Sequence, residues 1–214
     1  MLNDLSKEIR REILTEAYKH KHGHIASCFS CVEILLAIKE IMKPEDFFIL
    51  SKGHAILAEI AVFGKEISCF KTGSLGHGIG VGAGIALANP ESNVYVVVGD
   101  GELQEGSSLE ALNFIMGPAF DRDNLIVLID ENHFQASRKI HWPLHKDYIG
   151  KSCVSLVDGH RPDKIIEEIQ FNYRILFCET TKGMGVSFIE ANPVRFHTDI
   201  CTEIEQSQAL QELS

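Results

Sequence analysis

The order of apolar and amphipathic segments predicts an α/β fold, a three-layer, mostly parallel sheet with helices on both faces. Two short runs rich in β-branched residues, at 94–98 and 125–129, are typical of buried parallel strands. Stretches with helical spacing alternate with such runs, which favours helices that cover a sheet. The 214 residues are 45% hydrophobic, and no Pro/Gly/Ser-rich linker or internal repeat divides them. We therefore predict one domain over residues 1–214.

The first and last segments of the chain are predicted to be amphipathic helices. Residues 1–19 alternate charged and apolar side chains at helical spacing, and residues 200–213 form a second amphipathic stretch. The apolar face predicted for the first segment consists of Leu5, Ile9, Ile13 and Leu14. An uninterrupted apolar stretch, as in a signal peptide, does not occur there, and no apolar run is long enough to cross a bilayer. The sequence therefore predicts a cytoplasmic protein without a membrane partner.

Charge and cysteine content exclude further classes of protein. The net charge of −10 argues against nucleic-acid binding, which depends on clustered Lys and Arg. The one basic cluster, at 19–24, is short and rich in His, and it suits a single diphosphate better than a nucleic-acid surface. Six cysteines in an intracellular chain are expected to be reduced. Cys28 and Cys31 have the C-x-x-C spacing but no second Cys pair, so we interpret them as small packing residues.

Polar side chains follow both predicted strands at the points where they end. Asp100 lies between Gly99 and Gly101 after the first run, and Asn132 follows the second run. In open α/β sheets, ligands bind beyond the carboxyl ends of the strands. A carboxylate and an amide oxygen suit Mg²⁺, and flanking glycines let the backbone approach a phosphate closely. The pattern therefore predicts a metal–diphosphate site, although a tight strand-to-helix turn capped by Asp100 would have the same sequence.

A set of motifs, all in one order, resembles the N-terminal, diphosphate-binding half of transketolases. The most specific strings are Ser-Lys-Gly-His at 51–54 and Gly-Asp-Gly-Glu-Leu-Gln-Glu-Gly at 99–106. Other matching segments are Gly-His at 23–24, Thr-Gly-Ser-Leu-Gly-His-Gly at 72–78, Asp-Glu-Asn at 130–132, Val-Asp-Gly-His at 157–160 and Thr-Thr-Lys-Gly-Met-Gly at 180–185. The resemblance extends from about residue 8 to 197. Deoxyxylulose phosphate synthases share the general plan but not the two most specific strings.

The resemblance implies that the chain binds thiamine diphosphate (ThDP) and Mg²⁺. Asp100 and Asn132 would bind the metal through their side chains, and Phe134 would bind it through its carbonyl. Gly101 would offer its N–H to the diphosphate, and Gly73 and Leu75 would contact the aminopyrimidine. The full set of residues that we expect to bind the cofactor is His54, Gly73, Leu75, Gly99, Asp100, Gly101, Glu102 and Asn132.

The resemblance also implies catalytic roles for three histidines and one glutamate. His24, His54 and His197 match histidines that line the substrate channel, where imidazole can donate hydrogen bonds and transfer protons near neutral pH. Glu105 matches a carboxylate that connects two active sites at a subunit interface, and a carboxylate in the first turn of a helix is equally compatible with that position. We assign no catalysis to His160, which we expect in a turn at a strand end. The role of His77 stays open.

Two departures from the family pattern shape the functional prediction. Residues 62–71 replace a much longer segment that carries a substrate-facing histidine, so the cover over the site should be smaller. The pyrimidine-binding and C-terminal domains are absent. We therefore predict one subunit of a split transketolase that transfers a two-carbon ketol unit, paired with a separate C-terminal subunit, as α₂β₂. The alternatives are a subunit of a ThDP-dependent 2-oxo acid decarboxylase or ligase, and a non-catalytic ThDP-binding assembly protein.

Overall fold

The computed structural model describes residues 3–141 and 154–214. Its strands are β1 (Phe47–Leu50), β2 (Val94–Gly99), β3 (Leu125–Glu131), β4 (Val154–Asp158) and β5 (Ile175–Glu179). Its helices are α1 (Asp4–His20), α2 (Ile25–Ser30), α3 (Val32–Ile41), α4 (Ile56–Phe63), α5 (Gly78–Ala88), α6 (Gly106–Met116), α7 (Pro162–Gln170), α8 (Ser187–Ala191), α9 (Arg195–Thr198) and α10 (Glu203–Glu212). Two short 3₁₀ segments, Gly53–Ala55 and Asp100–Gln104, follow β1 and β2 directly.

The five strands form one sheet in the order β1-β2-β3-β5-β4, and every pair of neighbours is parallel. The predicted α/β class is confirmed, and the two strands predicted from the apolar runs are the central neighbours β2 and β3. Their register places Gly99 opposite Asp130, so the two strands end at the same level. Because all strands point the same way, their carboxyl ends form one edge of the sheet, where ligands bind in folds of this class.

Helices cover both faces of the sheet, as predicted. Along β2, Tyr95 and Val97 face a core formed with α1, α3, α4 and α7, whereas Val94, Val96 and Val98 face a core formed with α5 and α6. This alternation follows from the two-residue period of a strand. Helix α5 approaches β2 so closely that a Cβ on Gly82 would lie 2.6 Å from Val96 Cγ2. A side chain at this position would therefore force the helix away from the sheet, so the close packing of α5 on β2 requires glycine at residue 82.

Helix α1 differs from the prediction at one residue. Ile9, Ile13 and Leu14 are buried as expected, but Leu5 is 53% exposed. The buried face also includes Ser6, Arg10 and Ala17, so it is rotated away from Leu5. The reason is a polar contact that hydrophobicity does not reveal: Arg10 is fully buried and donates to Glu33 of α3. The stretch at 200–213 contains α10, in which Ala209 and Leu213 are buried.

The cysteines of the described residues are all free thiols. Burial raises the pKa of Cys28 to about 12 and that of Cys31 to about 11, so neither is a ready thiolate. These values agree with the interpretation of both as packing residues. Within residues 3–141 and 154–214, no helix is long and apolar enough to cross a membrane.

Candidate active site

A cavity of about 510 Å³ opens at the carboxyl edge of the sheet, beside the ends of β2 and β3. It is lined by every residue that the sequence singled out as catalytic, cofactor-binding or metal-binding, namely His24, His54, Gly73, Leu75, Gly99, Asp100, Gly101, Glu102, Glu105, Asn132, Phe134 and His197. Six further lining residues carried no assigned role, namely Ser27, Lys52, Gln135, Ala136, Ser137 and Lys182. His77 is exposed, precedes α5 and does not line the cavity.

The Asp100 carboxylate is turned onto the backbone at the end of β2. Its Oδ1 accepts from the N–H of Gly101 at 2.8 Å, and its Oδ2 accepts from the N–H of His133 at 2.5 Å. Burial, and then the negative charge of Asp130, raise the pKa of Asp100 to about 7. The N–H predicted to face a diphosphate is therefore occupied by this carboxylate. A cation at this site would offset both effects that raise the pKa.

The neighbouring carboxylate, Asp130 at the end of β3, is held entirely by protein groups. It is fully buried and forms an ion pair with Lys52, itself buried. Thr180 Oγ1 donates to its Oδ1 at 2.5 Å, and Ser30 Oγ donates to its Oδ2 at 2.6 Å. Burial alone would raise its pKa, but the charge of Lys52 and these hydrogen bonds lower it. Asp130 therefore stays ionised as a structural anion.

Asn132 links this pair to the cavity. Its Nδ2 donates to Asp130 Oδ2 at 3.2 Å, which orients its Oδ1 towards the loop after β3. There Oδ1 accepts from the N–H of Phe134 at 3.2 Å. Among the described residues, no group of three or more His, Cys, Asp and Glu side chains could hold a metal. The predicted donor set contains only one side chain of those types, Asp100, because the other donors are an amide and a carbonyl oxygen.

His24, His54 and His197 form a triangle of imidazoles on the other side of the cavity. Their ring centroids are 4.9–5.3 Å apart, although the residues are distant in sequence. The N–H of His24 donates to the carbonyl of His197 at 3.0 Å, and Ser27 Oγ lies 3.0 Å from His197 Nδ1. His24 has a left-handed backbone (φ 65°) just before α2, and its buried Nδ1 has no hydrogen-bond partner among the residues that the structure describes.

The three imidazoles are neutral near pH 7. Burial, and then the charge of Lys52, lower the pKa of His54 to about 2. Burial, and then the charge of Lys182, lower the pKa of His197 to about 3, and burial also lowers the pKa of His24. A neutral imidazole has one nitrogen that donates and one that accepts. The cluster can therefore bind hydroxyl and carbonyl oxygens without a net charge of its own.

Glu102 and Glu105 occupy different environments although both line the cavity. Glu102 is 2% exposed, and its Oε1 accepts from the N–H of Gly76 at 2.8 Å and from the hydroxyl of Ser51. These contacts hold the loop that carries Gly73 and Leu75, so this carboxylate organises the wall of the cavity. Glu105 is exposed and is the N-cap residue of α6, one position before the predicted first turn, and its side chain makes no capping hydrogen bond. A carboxylate is still favoured there by the positive end of the helix dipole.

Lys182 is the most informative residue to which the sequence assigned no role. It follows β5, and only 3% of it is exposed. Its Nζ donates to the carbonyl of Gln135 at 3.1 Å and lies 5.9 Å from the centre of the Phe134 ring. Burial, and then the charge of Lys52, lower its pKa to about 8. The string at 180–185 marked this segment, but only the fold shows that its lysine reaches the cavity.

Comparison with known proteins places this geometry in a family. The fold is that of the N-terminal part of transketolases: the chain superposes on the crystal structure of transketolase from Campylobacter jejuni with a TM-score of 0.81 and 17% identity, covering 98% of this chain and 42% of that one. Residues 65–142 match the family model described as 1-deoxy-D-xylulose-5-phosphate synthase.

Sequence relatives cover nearly the whole chain. It is 31% identical to one of the subunits of apulose-4-phosphate transketolase from Actinobacillus succinogenes, in an alignment that spans 99% of this chain and 95% of the relative. It is 29% identical to 6-deoxy-6-sulfo-D-fructose transketolase subunit SqwG of Clostridium sp., over 96% of this chain and 93% of the relative. The chain belongs to the transketolase family, in which it corresponds to the N-terminal subunit of a split transferase.

Proposed function

We propose that this chain, as a single diphosphate-binding domain, holds ThDP through Mg²⁺ in a two-chain transketolase and contributes histidines to the transfer of a two-carbon ketol unit. The observation that carries the proposal is the single cavity shared by Asp100, Asn132 and the three neutral imidazoles. When bound, ThDP supplies a carbanion at its thiazolium ring and a sink for electrons. The chain's own residues bind, orient and exchange protons around it.

The residues present fit a divalent cation and a diphosphate. Asp100 is a partly buried carboxylate whose raised pKa, about 7, would be lowered by a cation nearby, and Asn132 Oδ1 and the Phe134 carbonyl add the oxygen donors that Mg²⁺ prefers. At Gly73 and Gly99 a Cβ would meet no atom within 4 Å, although both residues line the cavity. The space they leave therefore belongs to the cavity. Lys182 adds a buried ammonium group that suits a diphosphate.

The imidazole cluster suits a sugar that is rich in hydroxyl groups. His54 and His197 are neutral, so each ring has one donating and one accepting nitrogen. Because His197 Nδ1 already lies 3.0 Å from Ser27 Oγ, its Nε2 is the nitrogen left for a substrate oxygen. His24 has a buried Nδ1 without a partner, which a substrate hydroxyl could satisfy. Because the three rings converge, a proton that leaves a substrate hydroxyl has an acceptor within reach.

The substrate class follows from the names of the relatives. One relative is named for apulose-4-phosphate and another for 6-deoxy-6-sulfo-D-fructose. Both names describe a sugar with an anionic substituent, a phosphate or a sulfonate. We infer a ketose of that kind as donor for this chain.

The partner is a separate subunit that carries the pyrimidine-binding domain. The proposal is supported by the relatives that cover nearly the whole chain, which are themselves named as subunits. We infer an α₂β₂ assembly in the cytoplasm in which Glu105, exposed at the rim of the cavity, meets another chain. Symmetric closure is the usual arrangement for soluble oligomers.

A second candidate has one observation in its favour. Residues 65–142 match the family model of 1-deoxy-D-xylulose-5-phosphate synthase, which suggests a ThDP-dependent ligase acting on a 2-oxo acid. The three converging histidines favour a sugar donor instead. Turnover of ketose donors and of 2-oxo acids by the assembled enzyme separates the two candidates, and turnover of neither would indicate a non-catalytic assembly protein.

The metal assignment is tested by titrating the full chain with ThDP in the presence and absence of Mg²⁺. We expect weak, Mg²⁺-dependent binding that Asp100→Asn abolishes. The matched control is Asp163→Asn, which neutralises an exposed carboxylate on α7. Equal binding by wild type and Asp100→Asn would refute the role of Asp100.

The catalytic assignment is tested on the enzyme assembled with its partner. We expect no ketol transfer by this chain alone. In the assembly, His54→Ala should lower turnover by roughly a hundred-fold or more, because it removes a positioned hydrogen-bonding and proton-transfer group. Normal turnover by His54→Ala, or full activity of the isolated chain, would contradict the proposal.

A further inference from the structure

His160 lies in the turn after β4 and connects two parts of the molecule that are far apart in sequence. Its N–H donates to Asp158 Oδ1 at 2.9 Å, which fixes the turn. Its ring points away from that turn: Nδ1 lies 2.8 Å from Glu33 Oε2, on α3, and Nε2 lies 2.8 Å from the backbone nitrogen of Thr181, after β5. The ring lies outside the cavity, so His160 does not touch substrate or cofactor there.

The Glu33 side of this connection is rigid. Glu33 is 1% exposed and receives two hydrogen bonds from the buried Arg10, at 2.6 and 2.8 Å. Arg10 also donates to the carbonyls of Ser6 and Phe29. Burial alone would raise the pKa of Glu33, but Arg10 and His160 lower it to about 2, so it stays ionised. The Arg10–Glu33 pair thus connects α1, α2 and α3 to Nδ1 of His160.

The Thr181 side fixes the tautomer of His160. A backbone N–H can only donate, so Nε2 must be the unprotonated, accepting nitrogen. Nδ1 then carries the proton and donates to Glu33. Both ring nitrogens are satisfied, and the direction of each bond is determined by its partner. Thr181 has an exposed side chain, so this contact acts on its backbone, directly before Lys182.

We propose that His160 is a positioning residue that, through the N–H of Thr181, sets the backbone from which Lys182 reaches the cofactor cavity. The inference rests on the proposed function, because it assigns Lys182 to the diphosphate of ThDP. Arg10 and Glu33 serve as the fixed support for the ring. The chain of contacts runs from the first helices to the cavity without passing through any predicted catalytic residue.

The rest of the segment shows how large the effect should be. Other bonds also hold residues 180–183: the N–H of Thr180 donates to Glu131 O, Thr180 Oγ1 donates to Asp130, and the N–H of Gly183 donates to Ala26 O. His160 supplies the bond to the N–H of Thr181, the residue that precedes Lys182. Its loss should leave the fold intact, loosen the Thr181 amide and weaken diphosphate binding by about 3- to 10-fold, the range for one net hydrogen bond.

Two substitutions test the two hydrogen bonds of the His160 ring separately. His160→Gln brings an amide oxygen to the place of Nε2, where it can accept from the N–H of Thr181. His160→Asn brings an amide nitrogen to the place of Nδ1, where it can donate to Glu33, but it cannot reach Thr181. Both variants keep the Arg10–Glu33 pair. Where His160→Asn fails to fold, Thr181→Pro deletes the same donor from the loop side, and it is judged by its Kd for ThDP alone because proline has no amide proton to exchange.

The experiment uses NMR spectroscopy on the full chain, with two readouts. Hydrogen exchange of the Thr181 amide is measured without ligand, and the Kd for ThDP is measured by titration with Mg²⁺ present. In His160→Asn, we expect the Thr181 amide to exchange faster and ThDP to bind about 3- to 10-fold more weakly than in the wild type. In His160→Gln, we expect both the exchange rate and the Kd to stay close to those of the wild type.

The outcomes distinguish this inference from the proposed function. Wild-type ThDP affinity in His160→Asn, or equal impairment in His160→Gln, would overturn the positioning role while the proposed function stands. Failure of the wild-type chain to bind ThDP with Mg²⁺ would overturn the proposed function and, with it, the purpose assigned to Lys182.

Discussion

Asp100 and Asp130 lie at the ends of two neighbouring strands, yet their carboxylates have different partners and their pKa values are shifted in opposite directions. Asp130 has a buried cation, Lys52, and hydroxyl donors in Ser30 and Thr180, so its pKa is lowered. Among residues 3–141 and 154–214, Asp100 has two backbone N–H donors and no ion-pair partner, and burial, followed by the charge of Asp130, raises its pKa to about 7.

The difference separates a carboxylate that stabilises the fold from one that is available to a ligand. Asp130 is neutralised within the chain and joins β3 to the loops after β1 and β5 through Lys52 and Thr180. Asp100 lacks a cationic partner of its own among the described residues, which is the situation expected of a carboxylate that binds a metal ion. Under the proposed function, the comparison therefore favours Asp100 over Asp130 as the group that would bind Mg²⁺.

The largest effect on stability is expected from Asp130→Asn. The substitution keeps the shape of the side chain but leaves Lys52, which is 1% exposed, without its counter-charge. Breaking a buried pair in this way typically costs about 3–5 kcal/mol. Urea denaturation of Asp130→Asn and Asp100→Asn at pH 7 gives the comparison directly. A smaller loss in Asp130→Asn than in Asp100→Asn would reverse the roles assigned to the two carboxylates.

A pH-dependent effect is expected from Asp100→Asn in the metal-free chain. In the unfolded chain Asp100 ionises at its ordinary pKa of 3.8, whereas the folded chain keeps the proton up to about pH 7. The folded state therefore binds more protons between these values, and the wild type loses stability as pH rises through that window. The loss is at most about 4 kcal/mol, since one pKa unit corresponds to about 1.4 kcal/mol.

The measurement is the difference in unfolding free energy between wild type and Asp100→Asn from pH 4 to pH 8. This difference isolates Asp100 from His54 and His197, whose lowered pKa values make stability fall towards acid pH in both proteins. With saturating Mg²⁺ and ThDP, the pH dependence that Asp100 gives to the unfolding free energy of the wild type should become smaller. Parallel profiles of unfolding free energy against pH for the two proteins would show that the pKa of Asp100 is not raised in the folded chain.

A moderate effect is expected from Thr180→Val. Valine has nearly the same shape but cannot donate to Asp130 Oδ1, so one hydrogen bond to an ionised group is lost. Such bonds are worth about 1.5–3 kcal/mol. Chemical denaturation measures the loss, and Thr181→Val, at an exposed side chain, is the control. Equal stability of the two variants would mean that Asp130 does not depend on its hydroxyl donors.

The smallest effect on stability, but a clear effect on binding, is expected from Gly99→Ala. Gly99 lies opposite Asp130 in the register and directly before Asp100, and a Cβ there meets no atom within 4 Å. Alanine should raise stability by about 0.4–1 kcal/mol, because it restricts the unfolded chain. Binding of ThDP should fall, since the methyl group would occupy space in the cavity. Gly84→Ala, on α5, is the control for stability without loss of binding.

Much of the fold could be predicted because its signals are local. The apolar runs at 94–98 and 125–129 identified β2 and β3, and the residues after them identified one edge of the sheet. Every residue singled out for the site lines one cavity, because parallel strands bring their carboxyl ends to the same edge. The error at Leu5 arose because a buried ion pair, Arg10–Glu33, turns α1, and hydrophobic periodicity cannot register it.

The amino-acid sequence was enough to predict the fold class from periodicity and the family from motifs of neighbouring residues, and the residues that it singled out line one cavity. The three-dimensional fold was needed to show that Lys52 neutralises Asp130 and that Asp100 has no ion-pair partner among the described residues. It was also needed to show that three distant histidines meet, that Lys182 reaches the cavity, and that His160 accepts a hydrogen bond from the N–H of Thr181. Charge pairing, burial and pKa depend on distances between residues far apart in the chain, and those distances are set only when the chain folds.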